Sequence, residues 1–579
     1  MLLKKDSYIY KQIAFGLLGL RRMFDDESLS SAFHNNSIQS AKEALERSVK
    51  PEHKAMFDFI LESLFSTEEG TDRIEEVFSD IDSIEEISFV DSYRYNCSDV
   101  LDDYTNGCIE EIAASIIANE NPSSIMDLGS GQGVFLTTAL CMDAAEDYHG
   151  IELNREYALV SQIKFLIFGL NPDNIKTEDV FNRTFDNKSI EKYDAVFCHM
   201  PLNMPLDPDI IVRAGLLDEF HAQRITKRES EWAFIKAMME MINKQRHGMG
   251  VAWVRSSLLF SETGKEFRRD LIRKGLLEGI ILLPPSMLNI SGVQTALMII
   301  RSNNDTVKMV DASGWAVSGR RANYITEGDI PLVLDLYYTG GIHALRPEDP
   351  PSYIEISTKE IADNDYSLEP TRYILKEHLQ FEHEVKLSTV TEKIFRGVQI
   401  KADDHDTMSE LYGCPPNCYL LNLSDISNGY IDEDLERVNI DDLKRYQRYI
   451  LQPNDVVISA RGTKISIAVA DNIESRDIIV TGNLIAIRCG EDLDPYYLKA
   501  FFESNYGTAM LKAIQTGGAI FAINPRQLQE MSIELMDHSK QKLIGEKEKW
   551  MIDELRDSIK RAATIREKLT HLFDESKEV

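Results

Sequence analysis

Positive charge is what this chain has least of. Its 579 residues hold 63 Lys and Arg against 95 Asp and Glu, a formal net charge of −32. That balance excludes wholesale coating of nucleic acid and argues against attachment to an anionic membrane surface. It leaves room for a local basic groove, because a handful of placed cations is enough for phosphate contact. Long apolar runs are missing as well: none reaches the ~18 residues of a membrane-crossing helix. Lys4 and Lys5 precede no extended apolar core, so no secretory leader is expected. The seven cysteines are scattered and odd in number, which points away from a disulfide framework and towards a reducing, cytoplasmic compartment. Cys414 and Cys418 form a single C-x3-C near His405. With no second pair, a loop pair is expected rather than zinc, and no metal site is anticipated. Helicase and nuclease motifs are absent from the sequence. The composition, 43% hydrophobic and 27% charged, is that of folded globular protein, and the length suggests about three to four domains.

What the chain does have is a glycine-punctuated turn at Ser124 to Leu136, S-I-M-D-L-G-S-G-Q-G-V-F-L. It reads as a short apolar strand, then Asp127, then Gly129, Ser130, Gly131 and Gly133, then an apolar run that opens a helix. Alternating glycines let the backbone turn sharply and approach a ligand closely. The helix N-terminus that follows offers free N–H groups to a carboxylate or other anionic group. The loop lacks the Lys-Ser/Thr of a phosphate-cradling nucleotide loop, and its G-x-G-x-G is not the G-x-G-x-x-G of a dinucleotide fold. A tight strand–helix turn without a ligand is the plain alternative. The pattern D-x-G-x-G-x-G closely resembles the S-adenosylmethionine loop of Rossmann-like methyltransferases.

Around this loop the chain reads in order. Residues 1–100 are expected to form a helical domain, with Ile13, Leu17 and Leu20, then Phe57, Ile60, Leu61 and Leu64, at helical spacing. The acidic stretch from Glu68 to Asp103 reads as a solvated helical face. Residues 101–380 are expected to be a doubly wound sheet of six or seven strands with helices between them. Tyr148 to Glu152 is its second strand, and Glu152 stands where a Rossmann-type fold places its ribose acceptor. A third strand ends at Asp179. The fourth, Tyr193 to Cys198, runs into His199-Met200-Pro201-Leu202.

The resemblance to amino-methyltransferases of DNA assigns further roles. Tyr104 and Thr105 match a Tyr-Thr-Pro turn that closes over the methionine end of the cofactor, although Asn106 replaces the proline. Asp179 would bond the adenine amino group, and Phe181 would pack beside the ring. At 199–202 the family has Asn/Asp/Ser-Pro-Pro-aromatic. There the first side chain and a proline carbonyl accept from the target amino group, and the aromatic residue stacks on the flipped base. His-Met-Pro-Leu departs at three of four positions. A neutral His199 can accept through one nitrogen only, Met200 loses the rigid turn, and Leu202 lacks a flat face. Impaired or absent adenine methylation is therefore expected.

Later motifs sharpen the resemblance. Leu276 to Pro285, Gly292-Val293-Gln294-Thr295-Ala296, Val310 to Ser313, Arg320 to Asn323, Glu327 to Ile330 and Ile361 to Leu368 occur in order. Over about residues 85 to 375 the chain is similar to the modification subunit of type I restriction–modification systems, an N6-adenine DNA methyltransferase family. Residues 381–540 change to short β-rich runs. Asn454 to Thr463 and Gly517 to Leu528 are similar to one target recognition domain of a type I specificity subunit, an α+β domain. Arg461, Thr463 and Lys464 form a basic tip, and with Arg526 they are candidate contacts to double-stranded DNA, as Arg445 and Arg448 also are. Residues 541–579 read as a coiled-coil helix, with Ile552, Leu555, Ile559, Ala562, Leu569 and Phe573 in a seam. A homodimer through that helix is expected, with packing back onto its own domain as the alternative. The resemblance also implies a restriction or other defence subunit as partner.

Two functional classes follow. One is an S-adenosylmethionine-dependent DNA methyltransferase acting on adenine N6. The other is a catalytically inactive methyltransferase fold that serves as a DNA-binding sensor or scaffold.

Overall fold

The computed structural model describes residues 8–33, 37–66, 73–93, 107–185, 190–200, 204–225, 227, 229–288, 293–319, 322–341, 352–378, 382–400, 417–440, 442–462, 465–471, 473, 476–516 and 521–575. The chain divides into two compact units, Met1–Pro370 and Thr371–Val579. No helix among the described residues is long and apolar enough to cross a membrane.

The first unit is built on a nine-stranded sheet. Its strands are β1 (Ser124–Leu128), β2 (Asp147–Glu152), β3 (Ile175–Thr177), β4 (Ala195–His199), β5 (Met249–Arg255), β6 (Leu277–Leu282), β7 (Thr295–Ile300), β8 (Thr306–Asp311) and β9 (Tyr353–Ser357). Their order is β3-β2-β1-β4-β5-β7-β6-β8-β9. The first five pair in parallel, while β7 runs antiparallel to both β5 and β6. Two strands beyond the expected six or seven, β8 and β9, extend the sheet past β6. The parallel centre is covered on both faces, which is why β4, β5 and β7 are near-continuous apolar runs. Chain order reverses at the β1–β4 junction, the place where such sheets leave a ligand crevice at the strands' carboxyl ends.

The N-terminal helices bury Ile13, Leu17, Leu20, Phe57, Ile60, Leu61 and Leu64, the residues at helical spacing. They share one core with Leu159, Val160 and Ile163 of the helix Arg155–Ile167. That helix also sends Ala158 and Phe165 into the sheet core. Helix Ile74–Asp80, in the acidic stretch, buries Ile74 and Val77 and leaves Glu75 exposed.

The second unit is α+β. A four-stranded antiparallel sheet joins Thr391–Arg396, Leu484–Cys489, Val456–Ser459 and Ile467–Val469. Its core holds a buried fork: Arg488 donates two hydrogen bonds of 2.9 Å to Asp455, which is 1% exposed. The long helix His538–Glu575 starts packed on helix Pro495–Glu503. Buried Lys499 bonds Glu503 at 2.6 Å and Glu548 at 2.7 Å. The expected coiled-coil seam divides between two faces. Ile552 is buried against its own unit, whereas Leu555 and Leu569 are exposed with Leu543, Trp550, Met551 and Ile565. The physical reason is that the ion pairs of Glu548 and Arg556 turn the Ile552 side inward.

Candidate functional site

The site lies where the glycine loop meets the end of β4. Gly129, Gly131 and Gly133 have φ of +78°, +53° and +73°, so all three use the left-handed region that favours glycine. The N–H groups of Gly129 and Ser130 both donate to Ile151 O at 2.9 Å, strapping the loop to β2. A Cβ at Gly133 would stand 2.5 Å from Ser161 Oγ, one at Gly129 would face His199 O at 3.5 Å, and one at Gly131 would meet open space. The loop therefore abuts the end of β4 on one side and is open on another. Phe135, in the helix after the loop, stacks on Phe197 of β4 at 3.9 Å and fixes the two together.

Three carboxyl groups gather at this turn. Asp127 is 2% exposed, and among the described residues its Oδ1 has no hydrogen-bond partner. Burial, then the nearby charges of Glu152 and Glu110, push its pKa well above the usual carboxylate range. Glu152 accepts from Gly131 N through Oε2 (2.8 Å) and from Asn154 N through Oε1 (2.7 Å). Burial raises its pKa, and those two hydrogen bonds oppose the shift. Each carboxylate oxygen keeps a further lone pair for a ligand. Ser130 is buried, and its Oγ has no partner among the described residues. Glu110 was not singled out in the sequence. It is a buried acid on helix Cys108–Ala118, between Ile109 and Ile112, and an acid on the apolar face of a helix was the available signal.

Asp179 caps the turn Val180–Asn182 by accepting from Phe181 N at 2.9 Å. Phe181 is buried edge-on against Phe234, ring centroids 4.7 Å apart. His199 ends β4 and stacks on Trp253 of β5 at 3.8 Å. Burial drives the His199 pKa down to about 3, leaving a neutral imidazole. Met200 is buried. The Cys198 thiol is pushed well up by burial and then by Asp127, which removes it as a nucleophile. Beside Trp253, Arg255 pairs with fully buried Glu231, a pair the sequence reading missed. Tyr104, Thr105, Pro201, Leu202, Thr463, Lys464, His405 and Cys414 lie outside the described residues. Arg461 and Arg526 are exposed in the second unit, and strand Arg461–Gly462 pairs with Ala522 and Phe521.

Residues 100–381 match the N-6 DNA Methylase family. The matched segment contains the glycine loop, the three acids and the β4 end. A type I restriction enzyme methylase subunit, MjaVII, of Methanocaldococcus jannaschii is 21% identical over 302 residues, 47% of this chain and 49% of the relative. The chain thus spans about half the length of the curated relative it matches. Among solved structures, a type I restriction–modification methyltransferase subunit from Streptococcus thermophilus has a TM-score of 0.47 and 17% identity, covering 62% of this chain and 80% of that one. The type IIG restriction endonuclease BpuSI has a TM-score of 0.45 and 13% identity, covering 93% of this chain and 71% of that one.

The residues of the matched segment fit an S-adenosylmethionine-type ligand. Asp127 Oδ1 and Ser130 Oγ are buried polar atoms with no partner among the described residues, a costly state that a polar ligand would relieve. Three converging carboxyl groups suit a ligand bearing an ammonium and a sulfonium better than one bearing phosphates. Among the described residues no cluster of His, Cys, Asp and Glu has the arrangement of a metal site.

Proposed function

We propose that this protein is an S-adenosylmethionine-binding, DNA-directed methyltransferase-like protein of a restriction–modification or phage-defence system. The observation that carries the reading is the open glycine loop, abutting His199, with buried Asp127 Oδ1 and Ser130 Oγ unpartnered among the described residues. Gly129, Gly131 and Gly133 seat the methionine part, Glu152 takes the ribose and Asp179 the adenine. When bound, the cofactor supplies a methyl group on a sulfonium. Everything else asked of the chain is positioning, which is most of what such a displacement needs. Neutral His199 offers a ring nitrogen to the amino group of a flipped base, adenine N6 by the family match. The second unit reads the DNA sequence, the C-terminal helix pairs with a second copy, and other defence subunits complete the system.

One observation favours the second reading, an inactive sensor or scaffold. Buried Met200 occupies the position of a proline that would hold the turn rigid. The discriminating experiment follows labelled methyl transfer from S-adenosylmethionine to mixed-sequence DNA, with cofactor binding by calorimetry on the same preparation. Label in DNA that is lost in Asp127→Ala establishes the enzyme. Binding without transfer, with transfer appearing when residues 199–202 are changed to Asn-Pro-Pro-Phe, establishes the inactive fold. Neither binding nor transfer rejects the cofactor reading of the glycine loop and leaves only the DNA-reading half.

A further inference from the structure

A second feature lies in the second unit, on strand Thr391–Arg396 and the 3-10 helix Leu443–Tyr449. Lys393 Nζ donates to Arg448 O at 2.8 Å, which joins the two elements. The same ammonium stands 4.4 Å from the Phe395 ring centroid. The Arg448 guanidinium lies 4.6 Å from the Tyr449 centroid and donates to its hydroxyl. The Phe395 and Tyr449 rings are 6.4 Å apart. Residues three apart eclipse one another in a 3-10 helix, so Arg445 and Arg448, both exposed, share one side. Arg396, exposed on the strand, donates to Gly482 O at 2.8 Å.

Lys393 and Arg448 are satisfied differently from several other cations in the unit. Lys386, Arg488, Lys499, Arg556 and Lys560 all sit on carboxylates. Lys393 and Arg448 donate instead to a carbonyl and a phenol, and among the described residues neither is paired with a carboxylate. In a chain of net charge −32, such a group is a local exception to a field that repels polyanions.

We propose that this face, Lys393, Arg445 and Arg448 backed by Phe395 and Tyr449, is a contact surface for the sugar–phosphate backbone of duplex DNA. The inference rests on the DNA-directed reading above and gives it a location other than Arg461 and Arg526. Guanidinium forks match phosphate oxygens in pairs. Aromatic backing holds the cationic planes in place before contact. Single-stranded nucleic acid is disfavoured because its binding uses rings free to stack on bases, and both rings here already carry a cation of the protein. Phosphate contact carries no base information by itself, so the surface fixes the unit's position on the duplex and leaves sequence to other residues.

The test uses the full chain and a labelled mixed-sequence duplex, with binding followed by anisotropy across a salt series. Arg445→Glu/Arg448→Glu is expected to weaken binding at least tenfold at low salt. The slope of log K against log salt should fall by about 2, since each phosphate contact contributes ~0.9. Arg445→Lys/Arg448→Lys keeps both charges and is expected to keep most of the slope, which guards against an effect of misfolding. Calorimetric S-adenosylmethionine binding should be the same in all three proteins. An unchanged slope in the charge-reversed protein overturns the proposal while leaving the DNA-directed reading intact. Tighter binding of the wild-type chain to an RNA duplex of equal length overturns it as well. A wild-type chain that binds the cofactor but no duplex rejects the DNA-directed reading, and this surface with it.

Discussion

The imidazole of His199 lies on the indole of Trp253, ring centroids 3.8 Å apart and planes inclined by 25°. The two residues are register partners on β4 and β5, so the sheet itself sets the stack. A ring held there keeps one nitrogen as an acceptor only while it is neutral.

That neutrality is testable through stability. The folded pKa of about 3 lies below the ordinary value of 6.5. Between these values the unfolded chain binds the proton and the folded chain does not. The contribution of His199 is therefore fully present above about pH 6.5 and is lost as pH falls towards about 3. His199→Asn should flatten the acid limb of the stability curve by up to about one proton, ~1.4 kcal/mol per pH unit. Urea unfolding of both proteins between those pH values measures it, and identical limbs would show that His199 titrates normally.

Asp127 should trade stability for binding. Its raised folded pKa means that its contribution becomes less favourable as pH rises through the carboxylate range. Asp127→Asn keeps the volume and removes a desolvated charge, so at neutral pH the variant should unfold at higher temperature, by on the order of 1 kcal/mol in stability. The upward shift of melting temperature on adding S-adenosylmethionine should vanish in the same variant. Thermal unfolding with and without the cofactor reads both effects.

Gly133 and Ser161 should couple. Gly133→Ala combines a φ of +73° with a Cβ 2.5 Å from Ser161 Oγ, and a loss of ~2–3 kcal/mol is expected from strain plus overlap. Ser161→Ala removes an oxygen that has no partner among the described residues, so alone it should be near neutral. The double variant should recover at least ~1 kcal/mol relative to additivity. A strictly additive cycle in denaturant melts would place the cost of Gly133→Ala in the backbone alone.

The exposed stripe on the C-terminal helix makes a prediction about assembly. Leu555 and Leu569 are 45% and 64% exposed, and paired helices bury such residues. Leu555→Glu/Leu569→Glu should convert a dimer into a monomer in sedimentation without lowering the melting temperature of the dilute protein. A wild-type chain that sediments as a monomer at every concentration would count against pairing through this helix.

Much of the sheet around the glycine loop was legible because its signals are local. The strand, the three glycines and the acid at the end of β2 lie within one stretch, and left-handed backbone leaves glycine as its mark. Glu110 was harder to see: it faces Asp127 only after helix Cys108–Ala118 is laid on the sheet. The Arg255–Glu231 pair joins residues 24 apart in sequence through strand order that no local pattern encodes. The C-terminal heptads left the inward face open for a similar reason. Spacing reports that Ile552 and Leu555 are near one another on the helix, but which of them turns inward depends on Lys499 and Asp471 in other elements.

Helix Arg155–Ile167 has two apolar sides in different cores, one against the sheet and one against the N-terminal helices. A chain cut near residue 100 would therefore strip the cover from Leu159, Val160 and Ile163 and expose an adhesive patch to water. Since Asn154 caps that helix while its own N–H is held by Glu152, poor behaviour of such a truncated protein in a cofactor assay would report damage to the scaffold under Glu152, not a regulatory role for the missing helices.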